Sequence, residues 1–270
     1  MTTLRVCFAG PGASLQDAGR PGSMHLGVPP GGPLDCGLFA LAQRALGNAP
    51  HDAAIEIALH RFEFELDEDA TVSIDGALQR VRAHTRVVVS AQTGALRYLA
   101  VPGGFDVAPV LGGRGCLPTA ALGGVYGRYL RRGDTLSFQA AVRGDFVDLA
   151  APSRAPVLTF WPGPDAFSDA ALGALVAHPF TVTATRDRCG QRLTGPRLDV
   201  PEGSGIRGSA PMVRGALQVT LDGSLVALGP DHPTTGGYPV IGVLTPEASD
   251  TLGSLRPGET VRFVDATQLR

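Results

Sequence analysis

The chain has 270 residues, of which 44% are apolar, so it can bury one large core or two of ordinary size. The formal net charge is only −2 and like charges do not cluster, which excludes the charged surface typical of proteins that bind nucleic acid or a membrane. All 23 basic residues are arginine, and the lack of lysine excludes a biotinyl or lipoyl carrier, a Schiff-base enzyme and a Walker A loop from this sequence.

The glycine and proline content predicts a mainly β chain. The sequence has 36 glycines and 22 prolines, and short runs rich in valine, leucine and threonine recur between them. Its first residues, MTTLRVCFAGPG, lack a long apolar stretch, and no segment approaches the roughly 18 consecutive apolar residues of a membrane-spanning helix. We therefore expect a cytoplasmic protein with no membrane partner.

The cysteines and histidines do not form a metal-binding pattern. The sequence has four cysteines and six histidines, and all of them are widely spaced, without a C-x-x-C pair. We therefore expect reduced, structural thiols and no metal site.

Residues 32–48 predict a helix in the first half of the chain. Asp35 stands near its start as a capping residue, and Gly47 with Asn48 ends the pattern. The apolar residues at helical spacing are Leu38, Leu41, Ala42, Ala45 and Leu46.

Short segments that alternate or are rich in β-branched residues predict strands in both halves. In HRFEFELD, Phe62, Phe64 and Leu66 point to one side, and Glu63 and Glu65 point to the other. The further predicted strands are TVSIDG and TRVVVSA in the first half, and FTVTATR, GALQVTLDG, SLVALG and TVRFVD in the second.

A proline-rich segment at residues 151–169 indicates a domain boundary near residue 153. The expected domains are residues 1–153 and residues 154–270. After the boundary, SDAALGALVAHP predicts a short helix that is capped by Ser168 or Asp169 and ends before Pro179.

Two pairs of similar segments suggest an internal repeat. LRRGDTLSF at residues 130–138 matches LRPGETVRF at residues 255–263 in length and in its glycine-acid turn. An Asp followed by Gly and Arg begins at Asp17 and again at Asp187. The matches predict two related β domains, with a chance similarity as the alternative.

Several glycine-rich segments carry acids and arginines. Glycines let backbone N–H groups approach a ligand, and arginine binds a carboxylate or phosphate through two hydrogen bonds, so these loops suit a small anionic ligand. Each segment alone also fits an ordinary turn. GSGIRG at residues 203–208 matches a dinucleotide-binding pattern, but Pro211 blocks the helix that should follow, so we do not expect a nucleotide there.

Taken in order, these segments resemble one family, the biotin-dependent carboxyltransferases that include allophanate hydrolase subunit 2, KipA and the C subunit of 5-oxoprolinase. A departure is GGRGC, which stands where the family has a serine-rich turn, so hydroxyl groups beside Arg114 are missing. The segments that carry the resemblance are SLQDAGRPG, GVPPGGPLD, PGGFDVAPVLG, GGVYGR, DRCGQRLTGP, GALQVTLDG and DHPTTGGYP.

The resemblance implies a mainly β fold of two cyclophilin-like β-barrel domains with a few short helices. It also implies one of three functions. The chain is expected to be the C subunit of an ATP-dependent 5-oxoprolinase, which acts on a lactam together with a KipI-like B subunit, and with a LamB/YcsF-like A subunit. The alternatives are a KipA-like protein that binds a KipI-like kinase inhibitor, and a carboxyltransferase that moves CO2 from carboxybiotin to urea or a similar amide. No biotin is expected to be attached covalently to this chain, and the site of ATP is left open.

The same resemblance implies the site residues. Asp231 is expected to act as base, with Asp187, Tyr238 and Gln218 as further catalytic residues. DHPTTGGYPV is also expected to be a turn in which the glycines have positive φ and Tyr238 begins a strand. Glu56 is interpreted as an ion-paired core residue or as part of a cleft. The expected substrate-binding residues are Arg188, Arg192, Thr235, Gly236, Gly237, Arg20, Asp17 and Arg128, and Gln16 and Asp35 are weaker candidates.

Overall fold

A computed structural model of the protein describes residues 1–90, 95–140, 146–151, 153–204 and 208–269. The fold is mostly β, with 36% of residues in strands and 15% in helices, and the mainly β prediction is confirmed. No helix in these ranges is long and apolar enough to cross a bilayer. Residues 205–207 of the GSGIRG motif lie outside the described residues.

The chain divides into two compact units. The first unit comprises residues 1–21 and 31–153, and the second comprises residues 22–30 and 154–270. Nothing in the sequence patterns indicated that residues 22–30 belong with the second unit.

The first unit contains two sheets. One has the order β7-β4-β1-β9 and the other the order β2-β3-β8-β5-β6. Leu4, Val6, Phe62 and Phe64 belong to a single buried apolar cluster that also includes Ile55. The strands are β1 Thr2–Ala9, β2 Ser14–Gln16, β3 Ala54–Ala58, β4 Phe62–Leu66, β5 Ala70–Ile74, β6 Ala77–Val81, β7 Val87–Val89, β8 Leu96–Ala100 and β9 Thr135–Phe138, and a short 3₁₀ helix spans Pro118–Ala120.

The predicted first helix, α1, spans Cys36–Ala45. Its N-cap is Asp35, whose side chain accepts a hydrogen bond from the backbone N–H of Leu38 (2.8 Å). Phe39 and Gln43 are buried on this helix, whereas Leu41 is only partly buried. The buried face of the helix is therefore rotated by a fraction of a turn from the predicted apolar face. The reason is that Phe39 packs edge-on against the ring of Tyr98, with the ring centres 5.5 Å apart.

Glu56 on β3 is a buried core residue. Its Oε2 accepts hydrogen bonds from the hydroxyl of Tyr98 (2.6 Å) and from the backbone N–H of Leu34 (2.8 Å). Burial, and then the negative charge of Glu56, raise the pKa of Tyr98 well above its usual value. Tyr98 therefore keeps its proton and continues to donate to the carboxylate.

The second unit is a closed seven-stranded barrel with the order β10-β17-β14-β15-β12-β11-β18. A parallel pair, β10 with β18, closes the antiparallel ribbon. Phe263 packs edge-on against Phe180 and Phe160 in its core, at 5.4 and 6.2 Å between ring centres. The strands are β10 Val157–Pro162, β11 Phe180–Arg186, β12 Gly190–Thr194, β13 Ala210–Pro211, β14 Ala216–Val219, β15 Leu225–Leu228, β16 Thr235–Gly236, β17 Val240–Leu244 and β18 Thr260–Asp265, with short 3₁₀ helices at Met24–Leu26 and Ala266–Gln268.

Two helices belong to the barrel unit. Helix α2 spans Asp169–Ala177 and is capped by Ser168, as its sequence predicted. Helix α3 spans Pro246–Ser254. At its C-terminal end, the guanidinium of Arg186 donates to the carbonyl groups of Gly253 (3.0 Å) and Leu255. Burial lowers the pKa of Arg186 to about 10, so it remains a cation that complements the helix end.

The suggested repeat is visible in local structure. Before β9, Gly133 has φ +91°, its N–H donates to the carbonyl of Val6, and the N–H of Val6 donates to the carbonyl of Asp134. Before β18, Gly258 has φ +92°, and Val182 makes the same two bonds, with Gly258 and with Glu259. The two glycine-acid turns therefore have the same hydrogen-bonding pattern.

Replacing Phe263 by alanine is expected to destabilise the barrel by about 3–5 kcal/mol, because the variant leaves a cavity between two other aromatic rings. The single tryptophan, Trp161, lies on β10, so its fluorescence during urea unfolding reports on the second unit.

The control is Val157→Ala on β10, where the residue is 42% exposed, in contrast to the buried Phe263. This change is expected to alter the free energy of unfolding by at most about 0.5 kcal/mol. Equal losses in the two variants would contradict the assigned core.

Candidate functional site

The segment DHPTTGGYPV, residues 231–240, is held at both ends within the second unit. At its start, the N–H of Asp231 donates to the carbonyl of Arg188 (3.0 Å). At its end, the N–H of Val240 donates to Oδ2 of Asp165 (2.6 Å). These two hydrogen bonds fix the ends of a segment whose glycines and turn-forming residues would leave it flexible without them.

The middle of this segment is a short strand. Thr235 and Gly236 form β16, which pairs with β13. The expectation of positive φ at the glycines is wrong, since neither Gly236 nor Gly237 has it, and β17 begins at Val240 instead of Tyr238. The presence of glycine at position 236 is better explained by the nearby side chain of Gln218, because a Cβ at this position would lie 2.9 Å from Nε2 of Gln218.

A cleft of about 110 Å³ opens beside this segment. Gly236, Gly237 and Tyr238 line it, together with Met212 and Asp165. Tyr238 is 47% exposed. Gly236, Gly237 and Tyr238, which the sequence predicted as site residues, therefore do border a cleft. The cleft is large enough for a small molecule or a single inserted side chain.

Gln218 and Thr235 lie next to this cleft. Gln218 is buried on β14, and its Nε2 is 3.2 Å from the sulfur of Met212, which lines the cleft. Thr235 is exposed on β16. The structure therefore brings Gln218, Thr235, Gly236, Gly237 and Tyr238 together.

Asp231 and Arg188 form a buried ion pair. The guanidinium donates through Nε to Oδ2 (2.8 Å) and through Nη2 to Oδ1 (3.0 Å), and each residue is only 5% exposed. Neither is among the residues that line the cleft. A carboxylate held by both oxygens is suited to fixing the segment that it begins. The roles of Asp231 as base and of Arg188 in substrate binding stay predictions.

Asp187 and Arg192 lie on the hairpin of β11 and β12. Oδ1 of Asp187 accepts hydrogen bonds from the N–H groups of Cys189 (2.8 Å) and Gly190 (3.0 Å), which shapes the turn. Burial, and then the charges of Asp187 and Asp231, raise the pKa of Cys189 to about 11, so its thiol stays protonated at neutral pH. Arg192 is exposed on β12. Asp187 and Arg192 do not line the cleft, and their proposed contacts with substrate stay predictions.

In the first unit, Asp17 holds the loop at residues 113–116. Its buried carboxylate accepts hydrogen bonds from the backbone N–H groups of Gly19 (2.9 Å), Arg114 (2.6 Å) and Gly115 (3.1 Å). Arg20 donates to the carbonyl of Gly115, and Gln16 donates to that of Cys116 (3.1 Å). These geometries favour loop-fixing roles for the three side chains.

Arg128 is also engaged by protein groups. It forms a two-bond ion pair with Asp134, at 2.7 Å for each bond, and donates to the carbonyl of Tyr129 (2.9 Å). The hydrogen bonds from Arg128 are the main reason that the pKa of Asp134 is lowered. Arg128 therefore stabilises the loop between itself and Asp134, while its contact with a substrate stays a prediction.

Some residues at these positions were not singled out from the sequence. Asp165, which lines the cleft, falls in a segment interpreted only as a proline-rich boundary, and Met212 lies far along the chain from DHPTTGGYP. Arg114 was noted only for the hydroxyl groups missing beside it. Within the described ranges, no group of three or more His, Cys, Asp or Glu residues is placed to hold a metal ion.

Replacing Asp231 by asparagine is expected to destabilise the second unit by about 3–5 kcal/mol, because a buried guanidinium loses its carboxylate. Trp161 fluorescence in urea measures the loss. Asp187→Asn is the control, since asparagine still accepts the turn hydrogen bonds, and it is expected to cost less than about 1 kcal/mol. Similar stability of the two variants would show that the pair does not fix the segment.

Comparison with known proteins places these features in a family. Residues 26–265 match the family described as "Carboxyltransferase domain, subdomain A and B". The chain is 28% identical to the 5-oxoprolinase C subunit of Escherichia coli over 98% of this chain and 91% of that protein. It is 27% identical to urea amidolyase of Saccharomyces cerevisiae over 97% of this chain and 16% of that protein.

A solved structure shows the same fold. The urea amidolyase of K. lactis superposes with a TM-score of 0.84 at 26% identity, and the match covers 97% of this chain but 18% of the solved one. The resemblance found in the sequence is therefore confirmed. Because the family match extends over most of its length, the chain belongs to the carboxyltransferase domain family, subdomains A and B.

Proposed function

We propose that the chain is the C subunit of an ATP-dependent 5-oxoprolinase that hydrolyses 5-oxo-L-proline to L-glutamate. The observation that carries this choice is the similarity to the E. coli 5-oxoprolinase C subunit, which is 28% identical over 98% of this chain. The E. coli 5-oxoprolinase protein corresponds to this chain over nearly its whole length, whereas the urea amidolyases correspond to it in one part of a much longer protein. The partners are a KipI-like B subunit, with a LamB/YcsF-like A subunit, and a cytoplasmic location stays part of the proposal.

The cleft of the second unit supports chemistry on a small amide. A lactam is a weak electrophile, and negative charge develops on its oxygen when a nucleophile attacks the carbonyl carbon, before the bond from that carbon to nitrogen breaks. Tyr238, a half-exposed residue of the cleft lining, carries a hydroxyl that can donate a hydrogen bond, and Gly236 and Gly237 let a ligand approach the backbone closely. The side-chain amide of Gln218 contacts the sulfur of Met212 and so helps to hold Met212 in the cleft lining.

ATP is a substrate of the proposed complex and activates the lactam oxygen or its attacking partner. The sequence has no lysine for a Walker A loop, so we assign the nucleotide to the assembled complex and to no residue of this chain. In this scheme Arg188 and Asp231 are positioning residues, since their paired side chains fix the start of the segment that carries Tyr238.

A KipA-like regulatory function is the second candidate, and the surface of the second unit favours it. Trp161, Val213 and Tyr238 are 47%, 51% and 47% exposed. Trp161 pairs with Val243, and both Val243 and Val213 line the cleft together with Tyr238. Exposed aromatic and apolar residues of this kind anchor protein partners, here a KipI-like kinase inhibitor.

Carboxyl transfer is the third candidate, favoured by the family name and by the urea amidolyase relatives. A carboxyltransferase would take CO2 from carboxybiotin carried on another protein, because this chain has no lysine to hold biotin.

Reconstitution distinguishes the three candidates. The chain is mixed with its A and B partners, 5-oxoproline and ATP, and glutamate release is measured. We expect turnover in the complete mixture and none from the chain alone, and an inactive complete mixture would overturn the 5-oxoprolinase proposal. Relief of kinase inhibition without turnover would indicate the KipA-like function, and CO2 transfer from free carboxybiotin to urea would indicate the carboxyltransferase.

Replacing Gly236 by alanine is expected to lower kcat/KM in the complete mixture by about tenfold or more, because the new methyl group displaces Gln218 and Met212 at the cleft. The atoms it meets belong to movable side chains, so urea unfolding followed through Trp161 should change little.

The matched control is Gly173→Ala in α2, where a Cβ meets nothing within 4 Å. It adds the same methyl group to the same unit, away from the cleft, and should leave turnover unchanged. Full activity of Gly236→Ala would show that the reaction does not use this cleft.

A further inference from the structure

The first unit has a second cleft, of about 270 Å³, that the proposed reaction does not use. It is lined by residues 1, 52–53, 103–106, 114 and 138–139, which come from distant parts of the sequence. The side chains that matter for its chemistry are Asp52, Asp106 and Arg114, and the backbone of Gly103 and Gly104 forms part of its wall. Unlike the cleft of the second unit, it is bordered by charges of both signs.

These three charged groups retain free hydrogen-bonding capacity. Within the described residues, the guanidinium of Arg114 makes one long hydrogen bond, to the carbonyl of His51 (3.5 Å). The carboxylate of Asp106 is exposed and receives no hydrogen bond from those residues, and that of Asp52 accepts one, from the N–H of Ala49 (2.8 Å). Arg114 forms no ion pair with either acid within the same part of the chain. Arg114 and two carboxylates therefore border one cavity without forming ion pairs with each other in the described residues, and Met1 lines the same cavity.

The walls of this cleft are fixed before any ligand arrives. The backbone of Arg114 is held by the buried carboxylate of Asp17. Gly103 donates to Oδ1 of Asn48 (2.8 Å). Gly104 has φ +70° and lies so close to Asp52 that a Cβ would be 2.7 Å from the Cβ of that residue. Only glycine fits there, and the charged groups are presented on a rigid frame.

We propose that this cleft binds a free α-amino acid in its zwitterionic form. The carboxylate of the ligand pairs with Arg114, whose planar guanidinium offers two parallel donors. The ammonium group is held by Asp106 and by the free oxygen of Asp52. The proposal does not depend on which of the three reactions the protein carries out.

The charges argue against other small ligands. A phosphate or a simple carboxylate would satisfy Arg114 but would be repelled by two aspartates. In the part of the chain that is described, no third ligating residue joins Asp52 and Asp106, so a metal ion is not favoured either. A zwitterion complements both signs at once.

Three probes of similar size separate the contributions of the two charges. L-Alanine carries both groups, propionate lacks the ammonium group, and ethylamine lacks the carboxylate. Binding to the full chain is measured by calorimetry, with the probes in the millimolar range. We expect propionate and ethylamine each to bind about tenfold more weakly than alanine, or worse, since each loses a charge-assisted contact.

Variants assign the binding to this cleft. Arg114→Gln and Asp106→Asn are each expected to weaken alanine binding by about tenfold or more. Both should fold, because Arg114 is held through its backbone and the side chain of Asp106 is exposed. Arg132→Gln is the matched control, since Arg132 is an exposed arginine of the same unit that does not line the cleft, and it should bind alanine normally.

Several results would overturn the proposal. One is the absence of binding by both L-alanine and L-glutamate up to roughly 50 mM. Another is equal affinity for propionate and alanine, which would indicate an anion site. Normal alanine binding by either Arg114→Gln or Asp106→Asn would also reject this cleft as the site.

Discussion

The carboxylate of Asp17 is the contact on which the loops of the first unit depend. A buried charge is costly, and here three backbone N–H groups compensate it, from Gly19, Arg114 and Gly115. Two of these donors lie almost one hundred residues further along the chain. The carboxylate therefore joins the end of β2 to the loop at residues 113–116, and so decides where the side chain of Arg114 can reach.

The second unit uses the same principle with a different pair of groups. Arg188 and Asp231 are buried together and connect the turn after β11 to the segment at residues 231–240, which contains Tyr238. In both units, the charged residues that stand out in the sequence hold glycine-rich loops. Tyr238 and Arg114, which line the two clefts, lie on those loops; Tyr238 was expected at a site from the sequence and Arg114 was not.

The sequence predicted features that depend on neighbouring residues. The caps Asp35 and Ser168 were found because capping residues lie beside the helices that they begin. Features set by distant contacts were missed. Phe39 turned out to face the core because of Tyr98, and Gly236 is required by Gln218 and not by its own φ. The pairing of Arg188 with Asp231 spans more than forty residues and leaves no periodic pattern.

This division of roles bears on how one family can serve different substrates. Lactam hydrolysis and carboxyl transfer both place negative charge on an oxygen next to carbon, so both benefit from rigid loops that present hydrogen-bond donors. The buried contacts of Asp17, and of Arg188 with Asp231, supply that rigidity from within the protein. In the proposed scheme, residues that line the cleft of the second unit, such as Tyr238 and Met212, can differ between relatives while the supporting contacts stay the same. The proposed scheme therefore assigns the choice of substrate to the lining of that cleft, and the support of its loops to the charged residues that are easiest to recognise in the sequence.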